Sequence, residues 1–71
     1  MPIVVRLDVA LAQRKMTSRE LAGRIGISEQ NLSVLRSGRA RGLRFATLDA
    51  ICRELGCQPG DLLDYVPDAL D

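Results

Sequence analysis

Between Thr17 and Gly38 the chain carries two short amphipathic stretches hinged on a single glycine, and no other feature limits the fold so strongly. Thr17-Ser18-Arg19-Glu20 has the form of a capping box: the threonine hydroxyl can accept from the Glu20 amide while the Glu20 carboxylate reaches back to the Thr17 amide. A helix is therefore predicted to start at Ser18, with Leu21, Ala22 and Ile25 on its inner face. Gly23 weakens it, and Gly26 ends it where a positive φ costs least. Ser28 is the next N-cap candidate and opens a helix over about 28–37, with Leu32 and Leu35 inward and Ser37-Gly38 as its stop. Ala22 falls where the two helices cross closely, so a larger side chain would push them apart. Two short helices crossing steeply over about 17–37 are what a helix-turn-helix requires, the second being free to enter a groove.

The remaining periodicity is also helical. Leu7, Ala10 and Leu11, with Arg14 next in the series, predict a first helix from Arg6 or Leu7 to Lys15. Leu48, Ile51, Cys52 and Leu55 predict a fourth, capped at its start by Ala46 or Thr47 and closed by Gly56. Pro59 suits the first turn of a short fifth helix through Asp61, Leu62 and Leu63, and Pro67 terminates what precedes it. Ile3-Val4-Val5 is β-branched throughout and follows a proline, so it reads as a short strand. Such a strand pairs either with the Tyr65-Val66 region or with the same segment of another subunit; a frayed end is the alternative. With short connections and no repeat, residues 1–71 read as one all-α domain of five helices plus that N-terminal β-strand.

Composition then removes whole classes of chemistry. The 71 residues contain no histidine, hence neither the commonest general base nor the commonest metal ligand. Cys52 and Cys57 fall within a helical apolar pattern and read as small core residues rather than as a redox pair or half of a zinc site. Phe45 and Tyr65 are the only aromatics, too few for the stacking platforms on which single strands and RNA are bound. No apolar run approaches the ~20 residues of a membrane span, and the start of the chain does not resemble a secretory leader. The expectation is a cytoplasmic, non-enzymatic protein without cofactor, metal or small-molecule ligand. The best acid pair for catalysis, Asp61 and Asp64, reads as helix-end and surface acids.

Charge is distributed unevenly. Residues 1–46 hold nine basic side chains against three acidic ones, whereas residues 47–71 hold one against six. A net charge of +1 thus conceals a basic part suited to a polyanion and an acidic part left to solvent or to a partner. Arg36, Arg39, Arg41 and Arg44 follow one another through the end of the third helix and the loop Gly38–Arg44. Guanidinium forks match phosphate oxygens in pairs, and phosphate contacts dominate non-specific DNA affinity. Simple solubility is the bland alternative.

The run from Ser18 to Ser33 (Ser18-Arg19-Glu20-Leu21-Ala22-Gly23-Arg24-Ile25-Gly26-Ile27-Ser28-Glu29-Gln30-Asn31-Leu32-Ser33) resembles the helix-turn-helix of Xre-family, Cro/CI-type regulators. The similarity continues through Thr47–Gly56 and Gln58–Leu62, which correspond to helices four and five of that domain. The resemblance implies a five-helix, lambda-repressor-like domain with its third helix in the major groove of double-stranded DNA. By position it implies that Glu29, Gln30, Ser33 and Val34 face base edges, and that Ser18, Arg19, Ser28 and Asn31 lie near phosphates or at the groove margin. Many relatives pair an arginine of helix one with a glutamate ending helix three; Leu11 and Arg36 stand at those positions here, so Arg36 is free for DNA or solvent. Glu29 either accepts from a cytosine amino group or stays out of the contact, whereas Gln30 can bond adenine in bidentate fashion.

These expectations describe a sequence-specific transcriptional regulator, with repression implied by the family. A reader this small touches one half-site, so a homodimer is expected, through the N-terminal strand and the apolar, acidic set Leu62, Leu63, Tyr65, Val66 and Leu70. Intramolecular core is an equal reading for Leu62 and Leu63. The rival function is a protein-interaction module, such as a phage regulator or antitoxin component, using the acidic segment from Asp61 to Asp71.

Overall fold

The computed structural model describes residues 3–67. Strand β1 (Ile3–Val5) leads into helices α1 (Leu7–Gln13), α2 (Ser18–Ile25), α3 (Glu29–Arg36), α4 (Phe45–Leu55) and α5 (Pro59–Leu62), and strand β2 (Leu63–Tyr65) closes the order. The capping box forms as its sequence predicts: the Glu20 amide donates to Thr17 Oγ1 at 3.1 Å and the Thr17 amide donates to Glu20 Oε1 at 3.3 Å. Ser28 Oγ likewise accepts from the Asn31 amide at 3.0 Å, fixing the start of α3.

Four helices end in the same device, a bond from an amide two or three residues past the helix back to the carbonyl five residues earlier. These bonds run from Met16 to Leu11, Ile27 to Ala22, Arg39 to Val34 and Cys57 to Cys52, at 3.0 to 3.3 Å. Each needs one left-handed residue; Gly26, Gly38 and Gly56 serve three helices, and Lys15, at φ 53°, serves α1. The first helix therefore stops at Gln13, short of the expected Lys15. Arg14 is not on its inner face. Its side chain is exposed and Nη2 donates to the Gly56 carbonyl at 3.0 Å, joining the ends of α1 and α4.

Ten apolar residues make the core: Leu7, Ala10 and Leu11 from α1, Leu21 and Ala22 from α2, Leu32 and Leu35 from α3, Ile51 and Leu55 from α4, and Leu62 from α5. Among the described residues no polar or charged side chain is buried with them. Ala22, as its size allows, sits fully inside where α2 packs against α3 and α4. Cys52 and Cys57 are half-buried free thiols at the core's margin; burial first, then the neighbouring Cys57 thiol, pushes the Cys52 thiol above its ordinary pKa, which makes it a poor nucleophile.

Two boundaries differ from expectation. Helix α4 begins at Phe45 with Arg44 in the cap position and no side-chain cap, rather than at a cap on Ala46 or Thr47. Leu63 leaves α5 for β2, because its backbone is extended and pairs with Val5. The ribbon is antiparallel, with Ile3 opposite Tyr65, Val4 opposite Asp64 and Val5 opposite Leu63. The N-terminal strand thus pairs within its own chain, with Leu63–Tyr65, so that only Tyr65 of the expected Tyr65-Val66 region takes part. An Arg6–Asp64 ion pair at 3.2 Å and an Arg6 amide bond to the Leu62 carbonyl at 2.7 Å anchor it. Leu62 is core and Leu63 half-buried; Leu70, Asp68 and Asp71 lie outside the described residues.

Candidate nucleic-acid interface

Leu32 and Leu35 seat α3 on the core. Successive residues of an α-helix rotate by about 100°, so the side opposite those leucines belongs to Gln30, Ser33 and Val34, with Glu29 and Arg36 on one flank and Asn31 on the other. Glu29, Gln30 and Asn31 are exposed; Ser33 and Val34 are half-buried, less open than base-reading positions are expected to be. Ser37 Oγ donates to the Val34 carbonyl at 2.8 Å, and Arg39 Nε donates to Ser37 Oγ at 3.0 Å. The first arginine of the basic loop is thereby held at the end of α3.

A hollow lies along each flank. One is lined by Ser18 and Arg19 at the start of α2, by Glu29 and Arg36 of α3, and by Asp8, Leu11, Ala12, Met16 and Thr17. It brings four of the expected contact residues together, but Asp8 and Glu29 offset its two guanidinium groups. The capping box satisfies the Glu20 amide and leaves those of Ser18 and Arg19 without an intrahelical acceptor, at the helix end that favours anions. Ser18 is half-buried, and its hydroxyl has no hydrogen-bond partner among the described residues.

The second hollow, about 340 Å³, is lined by Ile27, Asn31, Leu35, Gly42, Leu43, Arg44 and Thr47. It contains an amide, a guanidinium and a hydroxyl and no acid, which makes it the better seat for a phosphate. Thr47 was missed in the sequence because its hydroxyl suits a helix cap; in the third position of α4 it faces this hollow instead. Arg41 joins neither flank. It lines a separate recess with Ile3, Val5, Leu35, Ala40, Gly42, Leu43 and Leu63.

Ion pairing sorts the arginines. Arg6, Arg24 and Arg53 pair with Asp64, Glu54 and Asp49. Among the described residues Arg19, Arg36, Arg39, Arg41 and Arg44 have no carboxylate partner, and all five are exposed. Three of these uncompensated guanidinium groups, Arg19, Arg36 and Arg44, line the hollows beside α3 and raise the local potential there for a polyanion. The acidic segment offered as a partner surface is partly committed internally: Asp61 accepts from the Gln58 amide at 2.8 Å and Asp64 holds Arg6. Among the described residues no cluster of three or more potential ligands could hold a metal ion, and no helix is long and apolar enough to cross a membrane.

Residues 6–68 match the Cro/C1-type HTH DNA-binding domain. The chain is 52% identical over 68 residues to the uncharacterized HTH-type transcriptional regulator YozG of Bacillus subtilis (strain 168), covering 96% of this chain and 81% of that protein. Its fold is similar to that of a candidate DNA-binding protein from Bacteroides fragilis, with TM-score 0.78 at 27% identity over 87% of this chain and 98% of the other. It is also similar to the transcriptional regulator VanUg, with TM-score 0.74 at 26% identity over 94% of this chain and 88% of the other.

Proposed function

The chain belongs to the Cro/C1-type helix-turn-helix DNA-binding family, and from that membership we propose that it is a sequence-specific repressor acting on double-stranded DNA as a homodimer. As a family member it is a DNA-binding transcriptional regulator; repression, dimerisation and the contact residues are the proposal. Helix α3 enters the major groove with Gln30, Ser33 and Val34 toward the base edges and Glu29 at the margin. Ser18, Arg19 and Arg36 grip the backbone on one side, and Ser28, Asn31, Arg44 and Thr47 on the other, with Arg39 and Arg41 extending the contact. Residues 1–71 act as one domain in the cytoplasm, without cofactor or small-molecule effector.

The observation that carries this reading is the pair of hollows flanking α3, bordered by arginines that have no carboxylate partner among the described residues. Selection of bound duplexes from a random pool, at two salt concentrations, tests the proposal. A two-fold symmetric site with half-sites about one helical turn apart is expected. Failure to enrich any sequence would overturn it.

A further inference from the structure

Among the described residues nothing guards one edge of the two-stranded ribbon. In an antiparallel pair, residues whose backbone groups point at the partner strand alternate with residues whose groups point away. The Arg6 amide bonds the Leu62 carbonyl, continuing the register of Val4 with Asp64. Val4 therefore also turns its amide and carbonyl toward β2, and Ile3 and Val5 turn theirs outward. Among the described residues no hydrogen bond uses these outward groups. Edge strands are commonly blunted by a charge, a proline or a bulge. Strand β2 carries Asp64, but β1 is Ile-Val-Val and carries none of these.

We propose that the open edge of β1 pairs, antiparallel, with β1 of a second copy about a two-fold axis at Val4, so that the two ribbons form a four-stranded sheet. The proposal rests on the homodimer reading above and gives it an interface. A two-fold at Val4 sets Ile3 of each copy opposite Val5 of the other, and these are the residues whose backbone groups face outward. Each such pair exchanges two hydrogen bonds. Charge fixes the direction. A parallel arrangement would oppose Arg6 to Arg6, whereas the antiparallel one separates them by four residues, about 13 Å along the sheet, beyond the screening length at physiological salt.

Side chains agree with the backbone. Ile3 is 45% exposed, and with Val5, Leu35, Ala40, Leu43 and Leu63 it lines a recess of about 200 Å³ that Arg41 and Gly42 also border. Paired residues project to the same face of a sheet, so Ile3 and Val5 of the second copy come to the mouth of this recess. Because Leu35 near the end of α3 also lines it, the axis lies toward the C-terminal ends of the two reading helices.

Substitution at Val4 tests the edge, since Val4 would meet Val4 of the other copy across the axis. In Val4→Lys the introduced ammonium faces Asp64 within its own ribbon, which that ion pairing favours, but faces a like charge across the axis. Sedimentation is expected to show self-association weakened at least about tenfold, with circular dichroism unchanged. Mixing Val4→Lys with Val4→Glu is expected to restore a heterodimer. Under copper-phenanthroline and oxygen, Val4→Cys is expected to give a disulfide-linked dimer that the wild type, with Cys52 and Cys57, does not. A dimer undisturbed by Val4→Lys, together with no cross-link from Val4→Cys, overturns the edge interface while leaving the homodimer standing. A wild-type protein that stays monomeric both free and on a two-half-site duplex overturns both.

Discussion

Replacing Lys15 by glycine should make this protein more stable, against the rule that glycine weakens what it enters. Lys15 sits at φ 53° because the Met16 amide bonds the Leu11 carbonyl at 3.0 Å and its own amide bonds Ala12 at 3.1 Å. That closure of α1 demands a left-handed residue, which costs a side chain with a Cβ roughly 1–2 kcal/mol. Lys15→Gly removes the cost, and the greater freedom of glycine in the unfolded chain returns about 0.4–1 kcal/mol of it. Lys15 is exposed and forms no ion pair among the described residues, so the substitution leaves the packing of the core as it was. The net gain is about 0.5–1 kcal/mol, and a domain of this size converts each kcal/mol into about 4–8 °C of melting temperature. Calorimetry should therefore show a rise of about 2–8 °C, and urea unfolding a higher midpoint at unchanged slope. A midpoint that stays or falls would refute the assignment of strain to Lys15.

Gly26→Val tests the same logic in reverse at the turn before α3. A Cβ there meets nothing within 4 Å, so the expected loss of about 1–2 kcal/mol is backbone strain alone, and an unmoved thermal midpoint would contradict it. Arg39→Ala with Arg41→Ala should weaken binding to every duplex and reduce the logarithmic salt slope by about 0.9 for each phosphate no longer neutralised; anisotropy titrations across a salt series that show an unchanged slope would remove the loop from the interface. Gln30→Ala should cost about 1–3 kcal/mol on the selected site and little on random DNA, so equal losses on both would count against base reading by Gln30.

What could be read in the sequence was local. The Thr17–Glu20 box, the Ser28 cap and the Gly26 turn each join groups three to five residues apart, so residue type and spacing suffice to specify them. The spacing of Leu21, Leu32, Leu35, Ile51 and Leu55 similarly marked the sides of helices that would be buried. Elements whose stabilising contacts come from elsewhere could not be read so closely. Lys15 looks like the continuation of a helix until the packing of Leu11 and Met16 closes it. Leu63 continues a helical pattern until Val5, fifty-eight residues earlier, offers a ladder. Phe45 opens α4 although no side chain caps it, because Leu48, Ile51 and Leu55 pin the helix to the core.

Residue order and composition were enough for the helices, the helix-turn-helix pair and the excess of arginine around it, since these follow from nearest-neighbour chemistry. Packing settled the rest: which guanidinium groups lack a carboxylate partner among the described residues, that Asn31, Arg44 and Thr47 share one hollow while Arg41 lies in another, and which ribbon edge those residues leave open. Those properties depend on distances between residues far apart in the chain, and such distances exist only once the core has brought the helices together.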